Sequence, residues 1–160
     1  VPEPTEAIDG NIRGYVQAVA WSKAAAIGPT VSDGLVVAGD SVAWLDGKVI
    51  GKPDDANDAR RILQWISGRV HELWTGVCLW RCADGLQLQW QEVSKVHMKP
   101  LSASELDEYI QSGKWEGCSG GYAIAEENDP YLTVVEGSLT NVIGLPMESL
   151  AQALTWFHKE

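Results

Sequence analysis

The chain has 160 residues, 45% of them hydrophobic and 21% charged, with eight tryptophans, which is enough apolar material for a buried core and too much for a disordered chain. A formal net charge of −10 argues against nucleic-acid binding through a broad basic surface, yet one small anion could still be held by a few local cations. No stretch approaches the roughly 20 apolar residues of a membrane span, and the sequence opens without a signal-peptide pattern, so no membrane contact is expected and the cytoplasm is the default compartment.

Val1 to Gly10, with two prolines and three acids, reads as a loop. From Asn11 to Ile27, Ile12, Tyr15, Val16, Val19 and Ala20 recur at helical spacing, and Gly28-Pro29 stops the helix. Leu35 to Ala38 and Val42 to Leu45 read as strands, with Val49-Ile50 returning from an Asp46-Gly47 turn. Asp54 and Asp55 offer an N-cap to a second helix that carries Ala59, Ile62, Leu63 and Ile66 and stops at Ser67-Gly68. Val70 to Cys82 and Leu86 to His97 are β-rich runs joined by Asp84-Gly85. Ser102-Ala103-Ser104-Glu105 is a capping box that opens a third helix through about Gln111. Gly113 to Pro130 reads as a long loop or broken element, Tyr131 to Val135 as a strand and Asn141 to Gly144 as a short apolar segment. Pro146 opens the last helix toward His158. The order predicts one α/β domain over residues 1–160, a mixed sheet flanked by helices.

The stretch from Val36 to Pro53 carries the chemistry. An apolar run ends on Gly39-Asp40-Ser41, the chain turns at Asp46-Gly47, and Gly51-Lys52-Pro53 comes back beside it. Direct pairing about that turn sets Ser41 opposite Lys52 and Asp40 opposite Pro53, so Asp40 and Lys52 become diagonal neighbours at a sheet edge. Adjacent positions of a flat ribbon point to opposite faces, so convergence needs a kink at Gly51 or Pro53. An acid and an ammonium brought together suit metal-assisted phosphate chemistry. Taken alone, the stretch is more often an ordinary surface hairpin.

Gly39-Asp40-Ser41, Gly51-Lys52-Pro53, Ile66-Ser67-Gly68-Arg69-Val70-His71, Thr75-Gly76-Val77, Gly120-Gly121-Tyr122, Glu136-Gly137-Ser138 and Asn141-Val142-Ile143-Gly144-Leu145-Pro146 follow one another in an order that resembles the Maf proteins. That family is named for a septum-formation phenotype and is related in fold to the inosine triphosphate pyrophosphatases. The resemblance implies a nucleoside triphosphate pyrophosphatase that cuts non-standard or pyrimidine nucleotides to monophosphate and pyrophosphate with a divalent cation, Mg2+ or Mn2+. It implies that Asp40 binds the metal or activates water and that Lys52 and Lys23 hold phosphate. Glu6, or less securely Glu3, then helps to hold the cation. The family is often dimeric, which leaves a homodimer open.

Two departures stand beside the resemblance. The family opens with a strand and Ser-x-Ser-Pro-Arg-Arg at a helix start, which this chain lacks. Where the family reads Asp-Lys-Ala-Gly-Ala-Tyr-Gly-Ile-Gln, this chain has Gly117-Cys118-Ser119-Gly120-Gly121-Tyr122-Ala123-Ile124-Ala125, with Glu126 or Glu127 near the glutamine's place. A carboxylate only accepts hydrogen bonds whereas an amide also donates, so base selectivity shifts with that change. The second reading is a catalytically impaired nucleotide-binding or protein-interaction remnant linked to septum formation.

The remaining chemistry-bearing residues read mainly as structural. His71 is expected to pack or hydrogen-bond rather than catalyse, and His97 and His158 to lie at the surface. Arg69 reads as an ion-pair partner before a phosphate ligand. Trp21, Trp65, Trp74 and Trp156 fall on apolar faces and read as core, which leaves Trp115 as the tryptophan candidate for base stacking. Cys78, Cys82 and Cys118 lack metal or disulfide spacing and read as free thiols. Ser119-Gly120-Gly121 lacks the Lys-Ser/Thr ending of a phosphate loop and reads as a close-packed or flexible turn.

Overall fold

The computed structural model describes residues 10–124 and 126–159. Glu3 and Glu6 therefore lie outside the described residues, as does Ala125. Helix α1 spans Ile12–Ile27, capped by the Asn11 side chain, which accepts from the Gly14 amide at 3.0 Å. Strand β1 spans Leu35–Leu45 and β2 Lys48–Ile50. Helix α2 covers Ala56–Ile66, β3 Val70–Arg81, β4 Gln87–Met98 and α3 Ala103–Ser112. Strand β5 is Leu132–Glu136, the short α4 Leu139–Ile143, and α5 Met147–Phe157. No helix among the described residues is long and apolar enough to cross a membrane.

The strands form one sheet in the order β2-β1-β3-β4-β5, flanked by helices. The α/β class is as expected, but the pairing among these strands is antiparallel throughout rather than mixed. Strand β1 also differs from its sequence reading, since it runs without a break through Gly39-Asp40-Ser41. The pairing with β3 extends from Leu35↔Arg81 to Trp44↔Glu72, and that ladder overrides the weak strand preference of Gly, Asp and Ser.

Alternation along β1 sorts its residues onto two faces. Val36, Ala38, Asp40 and Val42 face α1, where Ala20 and Ala24 pack with Cys78 and where Ile12 and Val16 pack with Val42. Ser41, Ala43 and Leu45 face the other side. There Ala43 and Leu45 join Ile62, Leu63 and Ile66 of α2, Leu106 and Tyr109 of α3, and Leu73, Val96 and Met98 in the main core. Each fully buried Leu or Ile in that cluster contributes roughly 1.5–3 kcal/mol of transfer free energy.

The caps follow local chemistry. The Asp55 carboxylate accepts from the Asp58 amide at 2.8 Å, and Ser102 and Glu105 form a reciprocal box at the start of α3. Pro146 is the N-cap of α5 rather than its first residue. Trp21 and Trp156 are more than two-fifths exposed, so neither is core. Trp65 does pack against the main cluster. Trp115 packs there as well and donates its ring N–H to the Ile110 carbonyl at 2.9 Å, which ties it to α3.

Candidate active site

The Asp46-Gly47 turn has both residues at positive φ, 52° and 75°, the conformation of a two-residue hairpin whose twist matches its strands. It sets Leu45↔Lys48, Trp44↔Val49 and Ala43↔Ile50, the register expected from sequence. The ladder stops there. Extended by two residues it would have paired Ser41 with Lys52, but β2 ends at Ile50 and Gly51-Lys52-Pro53 leaves the strand. Beyond Ala43, the outer edge of β1 is thereby left open to a hollow.

That hollow, about 280 Å³, is lined by Lys23, Asp40, Ser41, Lys52, Ser119 and Gly144 among others. Asp40 is 9% exposed and accepts from Lys23 Nζ at 2.7 Å. Its lysine comes from the fourth turn of α1, which can lie this close because β3 carries Gly76 beneath the helix. A Cβ built on Gly76 would stand 2.2 Å from the Val16 carbonyl oxygen. Three residues predicted for the site, Lys23, Asp40 and Lys52, thus line one hollow, with Lys23 paired to the carboxylate.

A second hollow of about 220 Å³ shares Ser41, Lys52, Ser119 and Gly144 with the first and is otherwise mostly apolar, with Leu73, Tyr122, Ile124 and Val142 in its wall. Ser41 shares a 2.7 Å hydrogen bond with the hydroxyl of Thr75, which is fully buried. Sequence reasoning did not single out either hydroxyl. Tyr122 is held from behind by His71, its hydroxyl 2.7 Å from Nε2. Burial pushes the His71 pKa down to about 4, with His97 adding to the shift, so at neutral pH the ring is an uncharged packing group. That is the structural role expected of it.

Glu126 is not brought to this site. It is exposed and lines a separate hollow with Glu127, Thr133 and Leu139, which meets the apolar hollow only at Ile124. Arg69 pairs with Asp46, Nη2 lying 2.8 Å from each carboxylate oxygen, and so braces the hairpin turn. Cys78, Cys82 and Cys118 are free thiols. Ser119 to Gly121 is a tight 3-10 turn, with Gly120 and Gly121 at positive φ and too little room for a Cβ on Gly120 beside the Tyr122 ring. Among the described residues no group of three His, Cys, Asp or Glu could hold a metal ion.

The model of the family described as Maf-like protein matches residues 2–157. The chain belongs to the Maf family. It is 36% identical over 144 residues to a dTTP/UTP pyrophosphatase of Rhodopirellula baltica, covering 90% of this chain and 63% of that protein. It is 40% identical over 144 residues to one from Cereibacter sphaeroides, covering 89% and 72%. A third, from an Anaeromyxobacter species, is 39% identical over 145 residues, covering 89% and 69%. This Maf chain therefore spans between 63% and 72% of the length of these curated relatives.

Proposed function

We propose that this Maf chain hydrolyses pyrimidine nucleoside triphosphates such as dTTP and UTP, releasing the monophosphate and pyrophosphate by attack of water on the α-phosphorus. The convergence of Lys23, Asp40 and Lys52 on one hollow carries this reading. The names of the relatives support the reaction and the bases.

Phosphoryl transfer is mostly positioning and charge stabilisation. Lys52 and Lys23 offset charge on the phosphate oxygens and on the departing pyrophosphate. Lys23 leaves Asp40 for phosphate when substrate arrives, and Asp40 then takes the proton of the attacking water. The apolar hollow beside Ser41 and Tyr122 accepts the flat base, with Lys52 at the junction between base and phosphates.

Asp40 would also hold a divalent cation, Mg2+ or Mn2+, with Glu6 as a second donor. Magnesium commonly takes one or two carboxylates and completes its shell with water and substrate phosphates, so a single carboxylate facing a phosphate-sized hollow fits that demand. When bound, the ion supplies neutralisation of phosphate charge.

The test is pyrophosphate release from dTTP, UTP and ATP with Mg2+ or Mn2+, with Asp40→Asn as the blank. Release from the pyrimidine nucleotides above the blank is expected, and its absence from both sinks the reading. A binding-only role is the second reading, favoured by the Lys23 pairing that already occupies the acid. Binding of α,β-imido UTP without turnover of UTP would establish it.

A further inference from the structure

Lys52 leaves the β1–β2 ladder beside the hydroxyl of Ser119. In a two-residue hairpin the pair flanking the turn is hydrogen-bonded and such pairs alternate, so Ala43 and Ile50 belong to a hydrogen-bonded pair. At this last pair of the ladder the Ala43 amide donates to Ser119 Oγ at 2.9 Å, and Ser119 Oγ donates to the Ile50 carbonyl at 2.5 Å. The hydroxyl bridges the two strands at the end of the ladder. One atom must accept and donate at once, which a hydroxyl does.

The same turn takes the next carbonyl as well, since the Gly120 amide donates to Gly51 at 3.1 Å. The turn is pressed on β1, where a Cβ on Gly120 would meet the Ala43 Cβ at 3.1 Å. The carbonyls of Ile50 and Gly51 are thus both held by residues 119 and 120. Lys52 is the next residue. Ser119 and Lys52 line both hollows, so the clamp lies where the lysine enters the site.

We propose that Ser119 is a positioning residue that aims Lys52 at the substrate phosphates by clamping the Ile50 carbonyl, two residues before it, at the end of the β1–β2 ladder. The proposal deepens the phosphate-binding reading of Lys52 and rests on it. Without the hydroxyl the Ile50 carbonyl loses its clamp to residue 119, and the lysine two residues further on loses its anchor.

The experiment measures binding of inorganic tripolyphosphate by calorimetry, and KM and kcat for UTP, in a set of single and double variants. Lys52→Gln weakens tripolyphosphate binding by about tenfold, the loss of one charge-assisted contact. Ser119→Ala weakens it by roughly three- to tenfold on the native background and raises KM more than it lowers kcat. On the Lys52→Gln background Ser119→Ala has less than about a twofold effect, whereas on a Lys23→Met background it keeps its full effect. A merely structural serine would act equally on all three backgrounds, and that result overturns the proposal. If Lys52→Gln itself leaves tripolyphosphate binding unchanged, the phosphate reading of Lys52 falls and the proposal falls with it. Should Ser119→Ala lack a cooperative melt, Ser119→Cys, which keeps the volume with weaker hydrogen bonding, is judged by the same criterion.

Discussion

Asp40 and Lys23 meet at 2.7 Å although one is the sixth residue of a strand and the other lies near the end of the preceding helix. The acid is almost fully buried while a third of the lysine side chain remains accessible, so the pair presents a partly exposed cation above a buried anion. Asp40→Asn should retain the melting behaviour of the native chain and lose pyrophosphate release by on the order of 10²–10⁴-fold, the range for removal of a positioned acid or base. Near-native turnover in that variant would remove Asp40 from the mechanism. Lys23→Met should leave measurable turnover with a raised KM for UTP.

Gly76 should tolerate no side chain. The alanine Cβ would overlap the backbone of α1 at Val16, so the helix must shift away from the sheet. Gly76→Ala is expected to destabilise the fold by about 1–3 kcal/mol, as overpacked cores do. It should also cost activity in excess of the unfolded fraction, because the shift carries Lys23 away from Asp40. Denaturant titration paired with assays under fully folded conditions separates the two effects.

Arg69→Ala should be mild. The Arg69 pair with Asp46 is solvent-exposed on both sides and is worth about 1 kcal/mol or less. The KM for UTP should not change. A large rise in KM with an intact melt would return Arg69 to the list of phosphate ligands.

His71 gives the fold an acid-side weakness. Its pKa is about 4 in the folded chain against 6.5 for the free side chain. The unfolded chain therefore binds more protons between those values, and stability rises with pH across that window. The contribution is present above about pH 6.5 and is lost as pH falls toward the folded value, with roughly 2 kcal/mol lost between about pH 7 and pH 5. Melts across that range should show the drop for the native chain and a much smaller one for His71→Gln. Equal slopes for the two would assign the acid sensitivity to other groups.

The hairpin register was readable because Asp46-Gly47 permits one turn geometry and that geometry fixes every pair behind it. Helix starts were readable for the same local reason, with Asn11, Asp55 and Ser102 each satisfying amides within three residues. What escaped was set by distant contacts. Gly39-Asp40-Ser41 look like strand breakers, yet the ladder to β3 holds them extended. Ser119 bonds a backbone amide 76 residues away, and no spacing announces such a contact. Trp115 stood out for its polar neighbours, while its partner, the Ile110 carbonyl, is a backbone group with no sequence signature. Lys23 is marked by family resemblance alone, since no local pattern sets it apart from other helix-end lysines.

Because Asp40 and Ser41 are consecutive in β1, they serve opposite sides of the sheet, one under α1 and the other beside Thr75. The site is therefore encoded in strand parity as well as in residue identity. A slip of one position against β3 would put a glycine or a serine under Lys23 and turn the carboxylate to the opposite face. Insertion or deletion of a single residue between Val42 and Leu45, on the turn side of the acid, would impose that inversion while leaving every functional side chain in the protein. The linker from Thr30 to Gly34 can change length without altering it. The ladder that holds the sheet together thus also serves as the reading frame of the site.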